Sequence, residues 1–137
     1  MKRLRNFIIV VLVVIMTLTM AACAKSAFEF DEDAAIQHAK EVIDIVNTKD
    51  YEAIYNAFGD DVKKLLTVDS IKASFEPILD PLGTFVAFES AKAIGSVDKD
   101  GKEFINVYVK TIYKDVTHVY NVAFDRDLSL QGFFTMS

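Results

Sequence analysis

The chain has 137 residues, with 15 Lys and Arg against 20 Asp and Glu, 52% hydrophobic residues, one cysteine and no tryptophan. That length fits one domain and argues against a multidomain enzyme, and a single cysteine excludes an intramolecular disulfide framework or a cysteine-rich zinc site. The acidic balance, with its only basic cluster at Lys2, Arg3 and Arg5, argues against a nucleic-acid partner.

The apolar residues are concentrated at the start. Phe7 to Met20 is almost unbroken hydrocarbon behind the basic residues, and it ends in small residues. A membrane-spanning helix needs about 20 apolar residues, so this shorter run reads as an export signal. An uncleaved anchor is the alternative, because Met16 to Ala22 can extend the apolar span. Met20-Ala21-Ala22-Cys23 resembles a bacterial lipobox, with Met20 where leucine is usual. The resemblance implies that Cys23 carries a diacylglycerol thioether and becomes the first mature residue. Otherwise Cys23 is a small apolar residue closing a hydrophobic segment. Removing residues 1–22 takes three basic and no acidic residues, leaving 115 residues with a formal charge of −8. Residues 23–30 read as the lipidated cysteine and a tether reaching less than ~30 Å, and residues 31–137 as one domain.

Within that domain the first half has helical periodicity. Ile36, Ala39, Ile43 and Val46 recur at spacings of three and four, with Asp31 and Asp33 as candidate N-caps. Asp50 caps a second helix that presents Tyr51, Ile54, Tyr55 and Phe58 and stops at Gly59. A third helix starts at Thr67 and carries Val68, Ile71 and Phe75; Pro77 is expected to disturb its end, and Pro81 with Gly83 to finish it.

After Gly83 the period becomes two. Thr84–Val97 reads as a strand with a bulge or frayed end at Gly95, and Asp98-Lys99-Asp100-Gly101 as a hairpin turn. Phe104–Tyr113 and Val116–Phe124 follow, joined at Lys114-Asp115, and Asp125-Arg126-Asp127 turns into a last strand from Leu128 to Met136. Helices followed by a curved four-stranded antiparallel meander make an α+β domain. Ile105, Val107, Val109 and Tyr113 share one face of their strand, as do Val116, His118, Tyr120, Val122 and Phe124 of the next. The opposite face is mixed but rich in aromatics for a solvated surface, so it lines a cleft or meets another subunit.

The layout from about Ala34 to Phe134 resembles the bacterial domain of unknown function 3887. The matching residues are Asp50-Tyr51-Glu52-Ala53, Leu66-Thr67, Leu82-Gly83-Thr84-Phe85, the alternating strands and Leu130-Gln131-Gly132-Phe133. The resemblance implies a fold related to the cone-shaped nuclear transport factor 2-like and cystatin-like folds, in which helices wrap a curved sheet and leave a pocket. It also implies a secreted or lipid-anchored protein, and it brings no catalytic signature.

Among chemistry-bearing residues His118 stands out, set in an apolar strand face. It is either a proton-transfer group in a pocket or a half-buried histidine bonded to a neighbouring tyrosine or carbonyl. His38 lies off the helical stripe and reads as solvated. The absence of His-x-x-x-His or Glu-x-x-His spacing argues against catalytic zinc, and Asp98, Asp100 and Glu103 fit a hairpin turn better than a calcium loop. The serines lie in no nucleophile elbow. The expectation is a non-catalytic, cofactor-free binding module, anchored through Cys23 on the extracytoplasmic face of the bacterial membrane. Tyr108, His118 and Tyr120 are its candidate contacts to an envelope ligand or protein. The alternatives are a homodimer built through the sheet face, and a cofactor-free isomerase or dehydratase using His118 as base.

Overall fold

In the computed structural model, residues 26–136 are described, and the segment bearing Cys23 lies outside them. Helix α1 spans Glu32–Asn47, α2 Tyr51–Ala57, α3 Asp60–Lys63 and α4 Val68–Leu79, followed by a 3₁₀ turn at Asp80–Leu82. Strands β1 (Phe85–Val97), β2 (Glu103–Tyr113), β3 (Thr117–Phe124) and β4 (Leu130–Met136) form one antiparallel sheet in sequence order. The fold is α+β.

Each long helix begins at a side-chain cap. Asp31 accepts from the Ala34 N–H, and Asp50 from that of Ala53. Thr67 and Ser70 exchange bonds in a capping box. Asp33 lies inside the first turn of α1 and is not its cap. Pro77 does not end α4, which continues to Leu79. The carbonyl that an N–H there would have reached belongs to Ala73, an exposed residue whose oxygen water can serve, and burial of Phe75 and Leu79 holds the last turn. Gly59 opens the short α3 rather than only closing α2, and its backbone N–H bonds to the Leu130 carbonyl at 2.9 Å. A Cβ on Gly59 would run into Ser129 Oγ, so any larger residue there would have to turn the serine hydroxyl aside.

The sheet turns its Ile105, Val107, Val109, Tyr120, Val122 and Phe124 face to the helices. Against it α1 packs Ala35, Ala39, Val42, Ile43 and Val46, while α2 and α4 bring Ile54, Ile71, Phe75 and Leu79. Strand β1 slips register at Val86 and at Glu89, and the first slip lets Phe85 and Phe88 both face inward with Tyr113 and Thr111. Leu128, expected to start the last strand, has a φ of 61° in the turn, where Asp125 Oδ1 accepts the N–H groups of Asp127 and Ser129; β4 begins at Leu130.

Gly95 is neither bulged nor frayed: it pairs in register with Ile105. Residues 26–30, read from sequence as tether, lie against it. The Ala27 N–H donates to the Gly95 carbonyl at 2.8 Å, the Gly95 N–H donates to Ser26 Oγ at 3.1 Å, and the Phe28 ring covers the glycine. Arg126 in turn sits over Phe28, 4.7 Å from its ring centre.

Candidate functional site

The polar groups of the helix-covered face gather at the end where β2 turns into β3. Tyr113 comes from the end of β2, Tyr120 and His118 from β3, Thr111 from β2 opposite His118, and Asn47 from the last residue of α1. The Tyr113 hydroxyl donates to Asn47 Oδ1 at 2.6 Å and stands 2.8 Å from that of Tyr120. Burial raises both phenols above their ordinary value, and the bond to Tyr113 raises Tyr120 further. Both are neutral donors at neutral pH.

His118 meets the edge of Tyr120, with ring centres 4.8 Å apart. Its backbone carbonyl takes the Thr111 hydroxyl at 2.6 Å, but its Nε2 is buried with no hydrogen-bond partner. Burial lowers its pKa, favouring neutral imidazole. The histidine thus packs on a tyrosine ring without bonding to it.

In front of this group lies a cleft of about 540 Å³, lined by Asn47, Lys49, Leu79, Gly83, Thr84, Phe85 and Tyr113. Asn47 forms part of its wall, and Asn47 Nδ2 is buried without a partner. Lys49 stands at the rim with its ammonium 3.2 Å from Asp80.

The three residues singled out from sequence do not form one site. His118 and Tyr120 are neighbours on the helix-covered face, whereas Tyr108 lies on the opposite face, paired with Lys92 and Asn121. There Asn106 donates to Ser96 Oγ at 2.7 Å, and Phe134 and Met136 are exposed. His38 is not simply solvated, since its ring lies 5.0 Å from that of Phe124. Asn47, Lys49, Thr84 and Phe85 were not singled out as site residues. Alternation does place Tyr113 on the face of Tyr120, but nothing local to Asn47 signals a bond to a residue 66 positions away. Among the described residues no cluster of three or more His, Cys, Asp or Glu could hold a metal ion.

Fold and site together define a single-sheet α+β domain with a polar-backed cleft at one end of its helix-covered face. A family profile matches residues 39–133, and the chain belongs to that family, described as protein of unknown function (DUF3887). A protein from Ruminococcus gnavus ATCC 29149, solved by NMR, is similar over 80% of this chain and 96% of its own, with 29% sequence identity and a TM-score of 0.68. No curated protein matches the chain.

Proposed function

We propose that the protein is a lipid-anchored component of the bacterial cell envelope, held at the extracytoplasmic membrane face through Cys23, whose domain binds a ligand in the Asn47–Tyr113 cleft without transforming it. The observation that carries the binding reading is the cleft itself, about 540 Å³ and walled by Leu79, Phe85, Tyr113 and Asn47, because ligand sites are concave and mainly apolar with a few polar groups. The non-catalytic reading is supported by the surroundings of His118: its Nε2 is closed off from solvent, so a substrate atom does not reach it, and the residue is absent from the lining of the cleft. Helices covering one face of a sheet whose first strand carries two bulges support kinship with the cone-shaped nuclear transport factor 2-like and cystatin-like folds.

Native mass spectrometry of the protein released from membranes in mild detergent tests this reading. The expected result is a monomer with acyl mass on Cys23 and a further, dissociable mass. A bare monomer that takes up nothing from an envelope extract would end the binding reading. A protein that carries no acyl mass on Cys23, or that keeps residues 1–22 ahead of it, would end the anchoring reading.

A second reading, a homodimer through the outer sheet face, is favoured by Phe134 and Met136, 56% and 46% exposed, beside Asn121, whose Oδ1 is buried and partnerless. The same spectrum distinguishes it, as a dimer without added ligand mass.

A further inference from the structure

The two edges of the sheet are finished differently. The β1 edge bulges at Val86 and Glu89, carries Lys92 as well as Glu89, and takes Ser26 and Ala27 at Gly95. Bulges, charges and a covering segment all keep a strand edge from pairing with another chain. The β4 edge is covered only at its start, where the Gly59 N–H donates to the Leu130 carbonyl at 2.9 Å. Outside the ladder to β3, no backbone bond among the described residues reaches residues 131–136. One slip of register falls at Gln131, and regular rungs follow from Gly132 to Met136. From Leu130 to Met136 the strand holds no charged residue.

Beside that open stretch lies a cavity of about 270 Å³, lined by Ser74, Phe75 and Ile78 of α4 and by Phe133, Phe134 and Thr135 of β4. Phe133 and Phe134 belong to opposite faces of the sheet. Phe133 packs against Phe75 with ring centres 5.3 Å apart, whereas Phe134 shares the outer face with Asn121. One cavity takes its walls from both only by wrapping the free edge of the strand. Unbonded main chain along β4 and an uncharged recess against α4 thus stand together, the combination by which a sheet edge receives an extended peptide.

We propose that the β4 edge binds a partner protein through an extended, uncharged segment, which adds as a fifth strand and places one large apolar side chain between α4 and β4. Charge selects the occupant. The groove is neutral, while residues 23–137 carry a large excess of acidic side chains, so an acidic strand and a second copy of this chain are both repelled. A neutral strand flanked by basic residues meets no such cost. This surface is separate from the cleft at Asn47 and Tyr113 and does not depend on it.

The test is an NMR titration of the isotope-labelled full chain in detergent micelles with acetyl-Lys-Thr-Val-Phe-Val-Thr-Lys-amide and three variants of it. One variant has alanine for the central phenylalanine, and two carry N-methyl groups on alternate residues, in the odd or in the even set. The parent peptide is expected to shift the backbone amides of residues 132–136 and the side-chain signals of Phe75 and Ile78. The alanine peptide should bind about tenfold more weakly. One methylated set should lose binding and the other keep it, because a strand turns only alternate N–H groups toward a given neighbour. Ser74→Trp, at an exposed position, should melt with the parent and bind the peptide about tenfold more weakly by filling the recess. Equal binding of the phenylalanine and alanine peptides, indistinguishable behaviour of the two methylated sets, or undiminished binding by Ser74→Trp overturns the proposal. So does the absence of any shift at millimolar peptide. Shifts along β4 that grow with protein concentration alone would give the edge to a second copy, and peptide shifts confined to Asn47 and Thr84 would place the peptide in the cleft; either overturns the proposal too.

Discussion

The hydroxyls of Tyr113 and Tyr120 meet at 2.8 Å above the rung that pairs Thr111 with His118. Neither residue opposes the other in the ladder, because Tyr120 pairs with Val109. The two rings reach along the sheet to join, and Tyr113 alone extends the chain of bonds to Asn47 on α1. The phenol of Tyr113 therefore ties the sheet to the last residue of the first helix.

Removing that hydroxyl leaves two buried groups without their partner. Tyr113→Phe should cost about 1–3 kcal/mol, the range for orphaning buried polar groups. Tyr120→Phe should cost less, about 1 kcal/mol, because Tyr113 still donates to Asn47. The double variant should be more stable than the sum of the two losses implies, since the second change removes a group already orphaned by the first. Urea unfolding of the four proteins measures the cycle, and strict additivity would mean that the hydroxyls do not act as one network.

Much of the scaffold is legible in the sequence because its signals are local. Asp31, Asp50 and Thr67 read as caps and act as caps, and alternation from Phe104 onward assigns the two sheet faces correctly. The cleft is harder to read. Phe85 and Phe88 are three apart, a spacing that puts strand residues on opposite faces, and only the slip at Val86 brings both inward. Asn47 and Lys49 look like ordinary polar residues at a helix end, and what gives them meaning is a strand 66 positions later. Tyr108 and Tyr120 seem a natural pair in a list of aromatics, yet an even-numbered position on β2 and an even-numbered position on β3 lie on opposite faces in this register.

Acid should weaken the fold partly through His118. Burial lowers its pKa below the ordinary 6.5, so as the pH falls below that value the unfolded chain binds a proton that the native histidine does not. Stability is then lost progressively down to the native pKa, and above 6.5 the group contributes no slope. His118→Phe keeps a ring against Tyr120 and removes the partnerless Nε2. It should match or exceed the parent at neutral pH and show a shallower decline as the pH falls below about 6.5. Parallel slopes from chemical denaturation across that range would mean that the acid sensitivity lies elsewhere.

The place where Ser26 and Ala27 dock bears on how an anchored domain would stand. They bond to Gly95, near the end of β1, whereas the cleft is at Phe85, where that strand begins. Ten residues of strand separate the two by roughly 30 Å. Cys23 precedes Ser26 by three residues, a reach of at most about 11 Å. If Cys23 carries the acyl chains, the Gly95 end faces the bilayer and the cleft opens away from it, toward water-borne or wall-side ligands. A fluorophore on Lys99→Cys should be quenched strongly by nitroxide-labelled lipids in vesicles, and one on Thr84→Cys weakly. The reverse order would mean that the domain does not stand on its docked segment.

That docked segment depends on the missing side chain of Gly95. A Cβ there would lie 3.0 Å from the Phe28 ring, which is the far end of a side chain that can swing away. Gly95→Ala should therefore push the Phe28 ring aside by a few tenths of an ångström and, with it, loosen the Ala27 and Ser26 bonds to the strand and the Arg126 contact. The global effect is expected to be small, because alanine in a strand interior recovers about 0.5–1 kcal/mol over glycine, which offsets part of what the loosened contacts supplied. The local effect is large by comparison. Hydrogen exchange at the Ala27 amide should accelerate at least tenfold while the Val107 and Val109 amides, deep in β2, stay protected. Protease should then cut between Ser26 and Phe30 in the variant and spare the parent. Unchanged protection at Ala27 would show that the segment holds its place through the backbone bonds alone, and that Phe28 over Gly95 is a passenger.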